Sequence, residues 1–207
     1  MGIAGLVWTL LVFGHMLGNL TLFISPQAYN SYGHAIVSNK PLLYGTEAAL
    51  ILSILVHVFL GIWVSLQNKK ATPGKYAVAA NSQKKASWAS KTMVWQGSII
   101  LVFIILHLCT FKYGTEHWVI YDGVEMRDLH KLIVEVFANP EYVIGYVISL
   151  VLLGFHLSHG FGSAFQSLGF NHPRYTPAIK TMSWVYGVVV ALGFIAQPVY
   201  VYFVYKG

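Results

Sequence analysis

Apolar positions along this chain fall in long unbroken runs, not in alternation or in narrow stripes. Gly2 to Ser25, Thr92 to Phe111, Tyr142 to Phe165 and Thr181 to Tyr205 carry no acidic residue, lysine or arginine, and Leu42 to Gln67 carries only Glu47. A helix needs about 20 mostly apolar residues to cross the hydrocarbon layer. Strands of a membrane barrel would instead run about ten residues with a period of two. The pattern predicts an all-α membrane protein, one transmembrane domain over residues 1–207, with spans at approximately 2–25, 42–67, 92–113, 141–166 and 178–205. The first run has no basic start and no small-residue cleavage site, and more spans follow it, so it is read as a span and not as a signal peptide.

The polar segments between the runs set an orientation. Asn68 to Lys91 holds Lys69, Lys70, Lys75, Lys84, Lys85 and Lys91 with no acidic residue, and Ser167 to Lys180 holds Arg174 and Lys180, again with none. Ser25 to Pro41 has only Lys40, and Lys112 to Glu141 sets three basic residues against six acidic ones. Basic loops stay in the cytoplasm, so the N-terminus is expected inside and the C-terminus outside a bacterial cytoplasmic membrane. Arg127 to Ala138 spaces Leu129, Leu132, Ile133, Val136 and Phe137 as one helical face, which predicts a short interfacial helix on the outer side. Tyr29 to Val37 is a second, weaker case. Pro198 is expected to kink span five or mark a join within it, and Tyr200, Tyr202 and Tyr205 suit an aromatic belt at its outer end.

Composition agrees: 56% of residues are hydrophobic and 10% charged, against roughly 25% charged in a soluble domain. Cys109 is the sole cysteine. It excludes a disulfide framework, a cysteine cluster and covalent haem attachment through C-x-x-C-H. The net charge of +6 resides in the loops and says nothing of nucleic acid.

Candidate chemistry enters with histidine. Of nine histidines, His15, His57, His107, His156 and His159 lie within spans. An ionisable side chain there is costly and is a functional candidate by default. The bland alternative, a histidine that hydrogen-bonds to a neighbouring helix, weakens when four consecutive spans each carry one. Spans one and three run outward, spans two and four inward. At about 1.5 Å per residue, this sets His15 and His107 in an outer layer and His57 and His156 in an inner one. Two pairs at two depths suit two bis-histidine haems, because paired neutral imidazoles close the iron to oxygen chemistry and favour electron transfer. Zinc would want three or four donors on one point, and a proton relay would want carboxylates. Gly14, Gly18, Gly61, Gly154 and Gly160 flank the ligands and would allow close approach of a flat macrocycle. His156 and His159 lie three residues apart on one helix face and compete for one role. His34, His117, His130 and His172 read as ordinary surface histidines.

The set Gly14-His15-Met16-Leu17-Gly18-Asn19-Leu20, Leu55-Val56-His57, His107, Gly154-Phe155-His156-Leu157-Ser158-His159-Gly160-Phe161 and Gln166 to Tyr175 resembles the cytochrome b558 membrane anchor of succinate dehydrogenase and fumarate reductase, over nearly the whole chain. The resemblance implies five spans enclosing two b haems, a quinone site, and docking onto a flavoprotein subunit and an iron–sulfur subunit on the cytoplasmic side. It also implies that the first and third histidine-bearing spans share the outer haem, and the second and fourth the inner one. A glycine four residues after the fourth-span ligand favours His156, through Gly160, with His159 as a neighbour and the alternative ligand.

Two departures stand out. The chain begins almost at the membrane, and the glutamate that some fumarate reductases carry two residues before the fourth-span ligand is here Gly154. Electrons are expected to pass from the iron–sulfur subunit by way of the inner pair and then the outer pair to a quinone, menaquinone by expectation. Fumarate reduction is the same path reversed. Glu47 is the candidate for quinone proton exchange, against the plain alternative of a carboxylate reaching water. The rival readings are a dihaem cytochrome b of a hydrogenase or formate dehydrogenase, and a haem-free transporter. One ligand per helix argues against the bc type, which places two on one helix.

Overall fold

The structure, a computed structural model, describes residues 1–71 and 88–205. Lys75, Lys84 and Lys85, on which part of the charge asymmetry rests, lie outside the described residues. The chain is mostly helical (84%). Helix α1 (Gly2–Asn19) runs into a 3₁₀ turn (Leu20–Phe23), and α2 (Pro26–Ser38) leads to the long α3 (Lys40–Ala71). Helix α4 (Trp88–His107) ends in a π turn (Leu108–Lys112). Strands β1 (Trp118–Tyr121) and β2 (Val124–Arg127) follow, then α5 (Leu129–Phe137), α6 (Pro140–Ser167) and α7 (Thr176–Tyr205). Among the described residues, five segments are long and apolar enough to cross a membrane: Gly2–Phe23, Lys40–Ala71, Lys91–Lys112, Pro140–Ser167 and Thr176–Tyr205. This is the architecture of a multi-pass membrane protein, with each expected span met within a few residues. Helix α7 continues through Pro198 without a break.

Local chemistry starts the short helices where they start. The Ser25 hydroxyl accepts from Ala28 N at the head of α2, the Asp128 carboxylate accepts from Lys131 N at the head of α5, and Asn139 Oδ1 accepts from Glu141 N at the head of α6. Pro26 and Pro140 occupy first helical positions, where a missing N–H costs nothing.

One end of the bundle carries a cap made of α2, the β-hairpin and α5. The hairpin departs from the expectation of helices alone. Trp118 pairs with Arg127 and Tyr121 with Val124 in antiparallel register, turning at Asp122 (φ 52°) and Gly123 (φ 77°). Two positive φ values in succession suit the Asp-Gly pair, whose turn matches the twist of the flanking strands. The strand takes Arg127, so α5 begins two residues later than its apolar spacing predicts. Arg127 then donates to the carbonyls of Lys112, Gly114 and Thr115, tying the hairpin to the end of α4.

The apolar side of α5 does not lie against lipid. Ile133 and Phe137 join Leu22, Val143 and Val201 in one buried cluster, with Tyr29, Phe111 and Tyr146 packed around it. His130, expected at the surface, is buried, and its backbone N–H donates to Asn30 Oδ1. The Asn30 amide in turn donates to Asp128. Burial pulls the His130 imidazole below its ordinary value, against the opposing pull of Asp128. His117 meets Glu135 at 2.7 Å.

The tightest helix pair is α6 with α7. Gly154, Ser158 and Gly162 of α6 face Ser183, Gly187 and Ala191 of α7, so that a Cβ at Gly187 would stand 2.5 Å from Gly154 O. Small residues every fourth position let membrane helices approach this closely. Gly154 is therefore a packing glycine, and its expected role of admitting a macrocycle does not hold. Helix α3 is the opposite case, with no buried residue along its length.

Candidate functional site

The four histidines expected from separate spans meet in two pairs. His15 of α1 and His107 of α4 have ring centroids 5.9 Å apart and planes at 83°. His57 of α3 and His156 of α6 have centroids 6.2 Å apart and planes at 66°. His159 lies one turn beyond His156 and contacts the Ser163 hydroxyl at 3.2 Å.

The pairs occupy two levels, set by glycines. The His57 ring comes within 3.7 Å of where a Gly5 Cβ would be, and the His156 ring within 3.5 Å of a Gly97 Cβ. Gly5 and Gly97 lie ten residues before His15 and His107 respectively. At 1.5 Å per residue, both helices therefore set the two levels about 15 Å apart. The His15–His107 level is the one nearer the cap.

The residues present fit a haem at each level. Two imidazoles bound to one metal, each with a metal–nitrogen distance of about 2 Å as in zinc–histidine sites, have ring centres roughly 6 Å apart once the ring radii are added. Both observed separations match. Among the described residues, no three of His, Cys, Asp and Glu converge, so the donors come in twos, the number that a closed haem iron takes from protein. His57 Nδ1 and His156 Nδ1 are buried with no hydrogen-bond partner among the described residues. Gly14 and Gly160, expected to leave room beside the ligands, have nothing within 4 Å of a Cβ, whereas Gly18 is filled by the Tyr32 ring and Gly61 lies against Met1.

At the capped level the ring nitrogens have partners. Asn19 Nδ2 sits 3.2 Å from His15 Nε2 and donates to His15 O at 2.9 Å. The Tyr29 hydroxyl donates to Asn19 Oδ1 at 2.9 Å, and burial pushes the Tyr29 phenol up, which keeps it a donor. In the tautomer that leaves Nε2 unprotonated, the Asn19 amide donates to the Nε2 lone pair, the same lone pair that a metal would take. His107 Nδ1 lies 3.1 Å from the Tyr146 hydroxyl. Sequence reasoning missed Asn19, Tyr29 and Tyr146. Asn19 had a local signal, being four residues after His15 and so on the same helix face; Tyr146 had none, because its contact crosses between helices.

Glu47 lies at the capped end of α3, where its carboxylate meets Lys112 Nζ at 2.7 Å, both side chains about one-third exposed. Lys112 closes the π turn that begins directly after His107. Compared with family models, curated proteins and solved structures, the chain finds no match.

Proposed function

We propose that this chain is the dihaem cytochrome b membrane anchor of a bacterial succinate:quinone oxidoreductase, and that it joins a flavoprotein and an iron–sulfur subunit to the membrane quinone pool. The observation that carries the reading is the pairing itself: four histidines from four helices, two by two, at imidazole separations that suit one iron each. When bound, b haems supply reversible one-electron transfer across the hydrocarbon layer. His57 and His156 would hold one haem, His15 and His107 the other. The Asn19 amide, which meets His15 Nε2, would have to yield that nitrogen to the iron. Both pairs lie within the long apolar helices. The lysine-rich segment after α3 favours a cytoplasmic face for the end that carries His57 and His156, and the iron–sulfur subunit would dock there. The quinone, menaquinone by expectation, would react near the capped end, where Glu47, whose Oε1 accepts from Lys112 Nζ, is the candidate for proton exchange.

The first test is a reduced-minus-oxidised spectrum of the purified membrane complex with a pyridine haemochrome count. Two b haems per chain, co-purifying with a flavoprotein of succinate dehydrogenase activity, are expected. Folded protein without haem would defeat the reading and favour a transporter, and a hydrogenase or formate dehydrogenase partner would move the chain to another quinone-linked enzyme.

Glu47→Gln keeps the size of the side chain and removes the proton. Quinone reduction is expected to fall by roughly the 10²–10⁴-fold typical of losing a general acid–base group, with both haems retained. Unchanged quinone reductase activity would remove Glu47 from the mechanism.

A further inference from the structure

Tyr146 stands out because it joins the capped histidine pair to a different helix. Its hydroxyl lies 3.1 Å from His107 Nδ1. Its ring is held by Phe103 at 4.9 Å and Phe137 at 5.0 Å between centroids, with Phe111 at 6.1 Å. Phe137 belongs to α5 of the cap, so three elements fix the position of the phenol oxygen. A buried tyrosine needs a partner for its hydroxyl, and anchoring alone would account for the contact. The partner atom points further. When a histidine gives Nε2 to a metal, Nδ1 must carry the proton, and Nδ1–H then donates to the phenol oxygen. Such outer partners fix the ring orientation and raise the basicity of the ligand.

The other level lacks this device. His57 Nδ1 and His156 Nδ1 have no partner among the described residues. The two pairs are thus chemically unequal, although their imidazole separations are nearly the same.

We infer that Tyr146 is a positioning residue for the His15–His107 centre: its phenol oxygen accepts the His107 Nδ1 proton, sets the plane of that imidazole and strengthens it as a ligand. The inference rests on the dihaem reading above. A more basic ligand stabilises the oxidised iron, so losing the hydrogen bond should raise the reduction potential of that centre alone.

The test is a potentiometric titration of the purified complex, with low-temperature electron paramagnetic resonance of the oxidised haems, for wild type, Tyr146→Phe, Tyr146→Gln and Tyr142→Phe. Tyr146→Phe is expected to shift one potential upward and to alter one low-spin signal, and the affected centre should be the one lost on replacing His15. Tyr146→Gln offers an amide oxygen to the same proton and should lie nearer wild type. Tyr142→Phe, one turn earlier on α6 and exposed, should change neither potential.

Unaltered potentials in Tyr146→Phe, or equal shifts at both centres, overturn the inference. If Tyr146→Phe loses a haem, retention of both in Tyr146→Gln supports the hydrogen bond, and loss in both variants overturns it in favour of ring packing alone. A wild-type complex without haem defeats the functional reading itself, which the wild-type spectrum reveals before any variant is made.

Discussion

His57→Ala is expected to remove one haem and leave the other, halving the haem count per chain. The expectation follows from the separation of the two levels. His57 pairs with His156 and not with His15 or His107, and the levels lie about 15 Å apart along α1 and α4. Side chains with no shared partner at such a distance act independently. Removing the imidazole leaves a small apolar residue on α3, which carries no buried position to collapse, so the helix itself should still insert. Succinate-driven quinone reduction should fall by more than the ~10–100-fold typical of losing an outer-shell partner, because a ligand is lost. The double variants make the test sharp. His57→Ala with His156→Ala should lose no more haem than either single change, whereas His57→Ala with His107→Ala should lose both. If His57→Ala and His107→Ala remove the same spectral component, the pairing is wrong, even if both haems exist.

That pairing was legible in the sequence because it depends on two simple quantities. Uncharged runs give the spans and their alternating directions, and the rise per residue gives the depth of each histidine. Neither needs tertiary detail, and the rings of His15 and His107, like those of His57 and His156, do come together. The cap was harder. Trp118–Arg127 holds three charged residues among its ten and so reads as a loop, yet Asp122-Gly123 is the strongest short-range hairpin signal and stood in plain sight. The apolar face of α5 was visible in the sequence, but its partner was not. A face that suits lipid equally suits Val143 and Val201, and helical spacing does not distinguish them. The same ambiguity hid the work of the glycines. Gly154 sits two residues before His156, so proximity in sequence suggested the ligand site. Only the register of α6 against α7 reveals that it faces Gly187. Gly5 and Gly97, which do lie beside histidine rings, are far in sequence from the residues they touch.

That register makes Gly187→Val the most damaging single change expected outside the histidines. A Cβ at position 187 would fall 2.5 Å from Gly154 O, 2.9 Å from Ser158 Cβ and 3.0 Å from Ser158 N. Two of these are backbone atoms of a helix and cannot swing aside as a flexible side chain would, so α6 and α7 must separate. Overpacking typically costs about 1–3 kcal/mol, occasionally more, and 1 kcal/mol corresponds to roughly 2–4 °C in Tm for a chain of this size. Thermal unfolding in mild detergent should therefore occur several degrees lower, at least. Gly145→Val is the matched control: it lies on α6, is exposed, and a Cβ there meets nothing within 4 Å. Valine is slightly better than glycine in a helix interior, so the control should be neutral or a little more stable. Equal behaviour of the two variants would show that close approach of α6 and α7 is not what holds the bundle. The loss should also be directional. Ser158, which the new side chain strikes, is two residues from His156 on the same helix, whereas neither His15 nor His107 lies on α6 or α7. Displacing α6 at this level should loosen the His57–His156 centre before the other, so the surviving protein should be short of the same haem that His57→Ala removes.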